Sequence, residues 1–164
     1  MRDFADRIGL SVSMTTRPKR PYETDGLHYH FVTELDFRKR IDHGEFAEWA
    51  TVHEHLYGTP KSEIEKRLKE GKHILFPIDV QGAKSLKALY PTNVLLIFIE
   101  PPSLNALEQR LISRQGDSRQ SIETRLQNAY NELQWSKSFD YQVINDDLNR
   151  AYQELKEIVT QECL

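Results

Sequence analysis

Hydrophobic and polar positions along the chain switch repeatedly between a two-residue and a helical period. Residues 10–15 and Tyr29 to Val32 read as short strands. Thr33 with Asp36 three residues on resembles a capping box, and the helix after it carries Leu35, Phe37 and Ile41 on its buried side and ends near Gly44. Phe46 to Val52 reads as extended, and Pro60 suits the first turn of a helix that stops at Gly71. Ile74 to Ile78 and Val94 to Ile99 are short, nearly continuous apolar runs, the pattern of strands buried on both faces. Helices are predicted around 82–90, 103–115 and 119–137, then a strand from Tyr141 to Ile144. A last helix over 147–161 puts Leu148, Ala151, Tyr152, Leu155, Ile158 and Val159 on one stripe.

Strands alternating with helices predict an α/β fold with a mostly parallel sheet. Segment 27–59 is different, with shorter extended pieces and one helix, and is expected to form a small subdomain on that sheet. No linker, repeat or low-complexity stretch interrupts the chain, so 1–164 is read as one domain, a length that can bury a core.

Composition narrows the function classes. Twenty-two basic and 25 acidic residues leave a net charge of −3, without the basic excess of a nucleic-acid binder. The longest apolar run, residues 94–99, is too short to cross a bilayer, and the first residues lack the apolar core of a signal peptide. Cys163 is the single cysteine, which excludes an intrachain disulfide and thiolate metal clusters. Neither nucleic acid nor membrane is an expected partner, and a cytoplasmic protein is the simple expectation.

The first third concentrates polar chemistry. SVSMTTRPKR places Ser13, Thr15, Thr16, Arg17 and Arg20 just after a strand. Two arginines three residues apart, separated by a proline, aim two planar donor forks at one anion, a better match to phosphate than lysine. Downstream, the hydroxyls of Tyr29 and Tyr57 add donors, and Thr59 follows. A fixed carboxylate such as Glu48 accepts from a base with adjacent N–H donors, which guanine has and adenine lacks. Alone, an arginine pair in a loop is more often a solvated surface pair.

The motifs in order are more specific than any one of them. SxSxTTRxxR is followed by GxxYxF (Gly26, Tyr29, Phe31), FxEWA (Phe46, Glu48, Trp49, Ala50) and YGTP (57–60). IDVQGA (78–83), PPS (101–103), RLxxRxxDS (110–118), RL (125–126) and FDYxVxNDDL (139–148) complete the series. Together they resemble the guanylate kinase family over essentially the whole chain. The resemblance implies a P-loop kinase-like core, a GMP-binding subdomain near 27–59 and a helical lid near 110–125. It implies transfer of a phosphoryl group from ATP to GMP with Mg²⁺. GMP phosphate would then be held by Arg17, Arg20, Tyr29 and Tyr57, and guanine read by Ser13, Glu48 and Thr59. Asp79 would organise Mg²⁺ and the reacting phosphates, directly or through water, with no other residue assigned to a metal. Arg110, Arg114 and Arg125 would close over the transferring group, and Asn145 would lie beside the adenine of ATP.

One part of the family's pattern does not occur. The loop G-x-x-x-x-G-K-[ST] cradles phosphates with backbone N–H groups. The closest glycines here, Gly71 and Gly82, are eleven residues apart, so this sequence cannot contain it. In the family that loop lies before the region matching Phe4 to Ser13. The chain is therefore expected to begin after the first strand, the loop and most of the first helix. Loss of one phosphate clamp in phosphoryl transfer costs about 10³ to 10⁵ in rate, roughly 4–7 kcal/mol, so little activity is expected from this chain alone. An empty strand slot would be closed by rearrangement, strand exchange or a homo-oligomer. A non-catalytic binding module that holds GMP or a phosphorylated or acidic partner in the GMP pocket is the alternative expectation. Pro77 stands where the family has an acid, Tyr22 replaces a usual glycine, and Glu54-His55-Leu56 departs from the usual run before Tyr57. The pairs His28/His30 and His53/His55 could bind a metal, but alternating histidines on short strands are more often solvated or structural.

Overall fold

The computed structural model describes residues 2–113 and 119–163, which fall into two units, residues 1–92 and 93–164. In the first unit, β1 (Ile8–Leu10) runs parallel to a later strand, β6, while β2 (Met14–Thr15) belongs to a different sheet. The strand expected over 10–15 is thus broken. Ser11, Val12 and Ser13 are buried but cross from one sheet to the other, with Ser11 N–H donating to Leu75 O at 3.0 Å.

The four-stranded sheet has the order β3-β2-β5-β4, built from β3 (His30–Phe31), β4 (Phe46–Val52) and β5 (His55–Pro60) around β2. Its β2–β3 pair is parallel, but β2–β5 and β4–β5 are antiparallel. Hairpin-linked β4 and β5 can only pair antiparallel, and they lie in the segment expected to stand apart from the parallel sheet. Helix α1 (Glu34–Asp42) starts as predicted, Thr33 Oγ1 accepting from Asp36 N–H at 3.1 Å. It ends in a Schellman arrangement. Gly44 N–H donates to Ile41 O, Glu45 N–H donates to Arg40 O, and Gly44 takes φ +64°. Phe37 is fully buried and stacks on Phe46 at 4.4 Å, in a core with Met14 and Leu56. Leu35, expected on the buried side, is 65% exposed, because that core takes Phe37 and Ile41 from the helix instead.

Pro60 caps helix α2 (Lys61–Lys69) rather than entering its first turn. Strand β6 (His73–Leu75) pairs with β1 and stops before Pro77, which has no N–H to donate to a ladder. Phe76 to Ile78 turn instead into helix α3 (Val80–Leu89), whose N-cap is Asp79.

In the second unit, β7 (Ile97–Glu100) precedes α4 (Leu104–Ser113), α5 (Arg119–Leu133), β8 (Tyr141–Ile144) and α6 (Leu148–Cys163). Strands β7 and β8 pair in parallel. Val143, Ala151 and Ile158 form the core of this unit, packed by Leu95, Ile97 and Tyr141. Leu148 begins the stripe predicted for the last helix but is 75% exposed. The apolar runs are not buried on both faces as predicted: Leu75 is 37% and Ile99 47% exposed. Among the described residues no helix is long and apolar enough to cross a membrane.

Candidate functional site

The first unit holds a cleft of about 240 Å³ between the mixed sheet and the start of α3. Ser13, Tyr29, Glu48, Tyr57 and Asp79 line it with Ala50, Val52, Gly58, Pro77 and Ile78. Five residues singled out in the sequence thus meet at one place, although they are spread along the chain from Ser13 to Asp79.

Glu48 reaches the cleft because of a bulge. Phe46 pairs with Pro60 and Glu48 with Thr59, so Ala47 is an extra residue on β4. Adjacent partners on β5 face opposite sides of the sheet. Phe46 therefore enters the Phe37 core while Glu48 faces the cleft. Glu48 is 6% exposed, and Thr59 Oγ1 donates to its Oε1 at 2.6 Å. Burial raises the Glu48 carboxyl above the ordinary range, opposed by the Thr59 bond and reinforced by the nearby Asp79 charge. Gly58 lets the two strands close: a Cβ there would meet Glu48 O, Phe46 and Trp49 at 2.9 Å.

Tyr29 and Tyr57 meet edge to face at 5.9 Å, and Arg17 Nε donates to Tyr57 Oη at 3.2 Å. The Arg17 guanidinium lies over the rings of Tyr29, at 5.5 Å, and Phe31, at 5.7 Å. Burial raises the Tyr29 hydroxyl, so it remains a donor at neutral pH.

Sequence reasoning missed Glu23. Its carboxylate accepts from Arg17 Nη2 at 2.6 Å, Arg17 Nη1 at 3.0 Å and the Arg20 backbone N–H at 2.7 Å. The Arg17 fork, expected to point wholly at an external anion, is largely filled by this carboxylate. Arg17 holds the Glu23 carboxyl down at about 2, and the pairing raises Arg17 in turn. An acid three residues after Arg20 and two after Pro21 was the available signal. Arg20 does not line the cleft; its exposed side chain reaches Tyr22 Oη at 3.2 Å.

Asp79 accepts from Gly82 N–H at 3.0 Å through Oδ1 and from Gln81 Nε2 at 3.2 Å through Oδ2. His28 Nδ1 accepts from Thr24 N–H at 2.9 Å, a turn contact. Among the described residues no group of three or more His, Cys, Asp or Glu side chains is placed to hold a metal.

The remaining candidates are in the second unit. Arg110, on α4, donates to Asp146 O at 3.4 Å, Arg125 lies half-buried on α5, and Asn145 N–H donates to Glu100 O at 2.8 Å. Arg114 falls outside the described residues.

Comparison with known proteins identifies the family. The family model described as guanylate kinase matches residues 1–162. The chain is 48% identical over 164 residues to a guanylate kinase of Brucella melitensis, covering all of this chain and 74% of that protein. It is 50% identical over 159 residues to one of Helicobacter pylori, covering 97% and 75%. A crystal structure of guanylate kinase from Anaplasma phagocytophilum superposes with a TM-score of 0.82 at 30% identity, over 98% of this chain and 79% of that one. Sequence relatives, family model and fold converge, and the chain belongs to the guanylate kinase family.

Proposed function

We propose that the cleft binds GMP as the phosphoryl acceptor of an ATP:GMP phosphotransfer, with Glu48 as the base reader. The observation that carries this reading is the buried Glu48 carboxylate, bonded to Thr59 and facing a cleft shared with Ser13. Thr59 occupies Oε1, which leaves Oε2 to accept from the adjacent N–H donors of guanine. Adenine offers no such pair, and a buried acceptor left without a donor penalises it. Tyr29, Tyr57 and the remaining N–H of Arg17 form the wall for the phosphate, and Arg20 swings in from the surface. Arg110, Arg114 and Arg125 are the proposed lid cations and Asn145 the adenine contact.

Asp79 suits Mg²⁺. One carboxylate with waters and substrate phosphates is the ligand set this cation favours, and each Asp79 oxygen carries a single hydrogen bond, with a lone pair to spare. When bound, the cation neutralises charge on the transferring phosphates.

Residues 1–164 contain no G-x-x-x-x-G-K-[ST] loop. We expect residues 1–164 by themselves to bind GMP and to turn over ATP poorly. Calorimetry with GMP, AMP and ATP separately tests the reading. GMP is expected to bind in the micromolar-to-millimolar range, well ahead of AMP, with no measurable ATP site. Equal weakness of GMP and AMP would remove the role of Glu48, and tight ATP binding would show a donor site that the loop does not supply.

A further inference from the structure

We infer that Gly82 is a positioning residue for base selectivity: its missing side chain is the space in which the Glu48 carboxylate sits. The inference rests on the reading of Glu48 as the guanine acceptor. A Cβ built at Gly82 would lie 2.5 Å from Glu48 Oε2, 3.1 Å from Glu48 Cδ and 3.3 Å from Asp79 Oδ1. Gly82 is buried, in the first turn of α3, and its N–H is tied to Asp79 Oδ1 at 3.0 Å.

Nothing in the backbone requires glycine here. Gly82 is helical and is not among the positive-φ glycines 26, 44 and 71. Alanine is the better helix former, and a helix-interior glycine is ordinarily a liability. The atom a methyl group would strike is the end of a side chain, and that side chain ends in the proposed base acceptor. Added volume at position 82 is thus absorbed by moving Glu48, and the Thr59 bond and the aim of Oε2 are lost together. The constraint comes from across the unit: β4 supplies the carboxylate and α3 supplies the vacancy.

The experiment is calorimetric titration of Gly82→Ala with GMP, IMP and AMP, beside Glu48→Gln and the pair Glu48→Asp with Glu48→Asp/Gly82→Ala. Gly82→Ala is expected to fold, to weaken GMP about tenfold or more, the scale of a lost charged hydrogen bond, and to leave AMP unchanged. The shorter Asp withdraws from the methyl group, so Gly82→Ala should cost much less GMP affinity in the Glu48→Asp background, a non-additivity that a merely structural lesion would not give. GMP affinity within twofold of the parent in folded Gly82→Ala overturns the inference, as do equal losses for GMP and AMP, or additivity in the double variant. If Gly82→Ala does not fold, the methyl group is not absorbed by Glu48 and the inference fails as well. Glu48→Gln separates the two ideas: a GMP preference that survives this change removes the acceptor role itself, whereas loss there with none in Gly82→Ala removes only the positioning role.

Discussion

Phe46 and Glu48 stand two residues apart on one strand yet face opposite sides of its sheet, Phe46 in the Phe37 core and Glu48 in the cleft. The extra residue Ala47 between them, opposite the adjacent partners Pro60 and Thr59, makes this possible. Replacing Phe46 by Ala removes the ring that stacks on Phe37 and should cost about 3–5 kcal/mol, as for a large core truncation, read as a fall in the denaturation midpoint. An unchanged midpoint would mean that Phe46 does not anchor the core.

Glu23 is the second device for holding the site. Replacing it by Gln keeps the shape but removes the charge facing the Arg17 fork, and its side chain is 5% exposed. The expected loss is about 1.5–3 kcal/mol of stability, together with weaker GMP binding because Arg17 is no longer held against Tyr57. If Glu23→Gln binds GMP as the parent does, the pairing is not needed to aim Arg17.

The same pair sets an acid limit. The folded Glu23 carboxyl lies at about 2 against an ordinary value of 4.5, so its contribution is complete above the ordinary value and disappears as pH falls toward 2. The stability gap between the parent and Glu23→Gln should accordingly be constant from pH 7 to about 5 and shrink below that. A gap that persists at the acid end would mean the carboxylate is not the source of the difference.

Much of this architecture was legible because it is local. The Thr33–Asp36 start and the Gly44 stop of α1 lie within one turn of the residues that signal them, whereas the strand read through Ile78 stops at Leu75. The candidate site was legible as a set of residue types: Ser13, Tyr29, Glu48, Tyr57 and Asp79 do share one cleft. What stayed hidden depends on pairings that strict alternation cannot express. The Ala47 bulge decides which way Glu48 points, the loop from Arg17 to Glu23 folds back on itself, and the vacancy at Gly82 has meaning only once β4 lies against α3. Leu35 shows the same limit, since helical period alone does not say where the core stops.

Glu48 also predicts a pH signature in binding. Its carboxyl is raised, chiefly by burial, so acidification protonates it sooner than an exposed glutamate and removes the acceptor. GMP phosphate titrates too, which makes the ratio of GMP to IMP affinity the informative measurement: both ligands carry the same phosphate, and only GMP has the second N–H donor. The ratio should fall as pH is lowered toward the raised carboxyl value and be flat in Glu48→Gln. A flat ratio in the parent would separate Glu48 from base recognition.

Arg20 gives the cleanest test of the phosphate wall, because its side chain carries so little of the fold. The guanidinium is exposed and reaches only Tyr22 Oη among the hydrogen bonds described, while the contact that orders the loop comes from its backbone N–H to Glu23. Arg20→Ala keeps that N–H. Stability should move by no more than about 0.5 kcal/mol, the range of ordinary surface substitutions, while GMP binding weakens by about 1.5–3 kcal/mol, the scale of a charge-assisted contact. Guanosine, which has no phosphate, should bind the parent and the variant equally. If guanosine suffers as much as GMP, Arg20 acts on the shape of the site; if GMP affinity is untouched, the phosphate does not reach this loop.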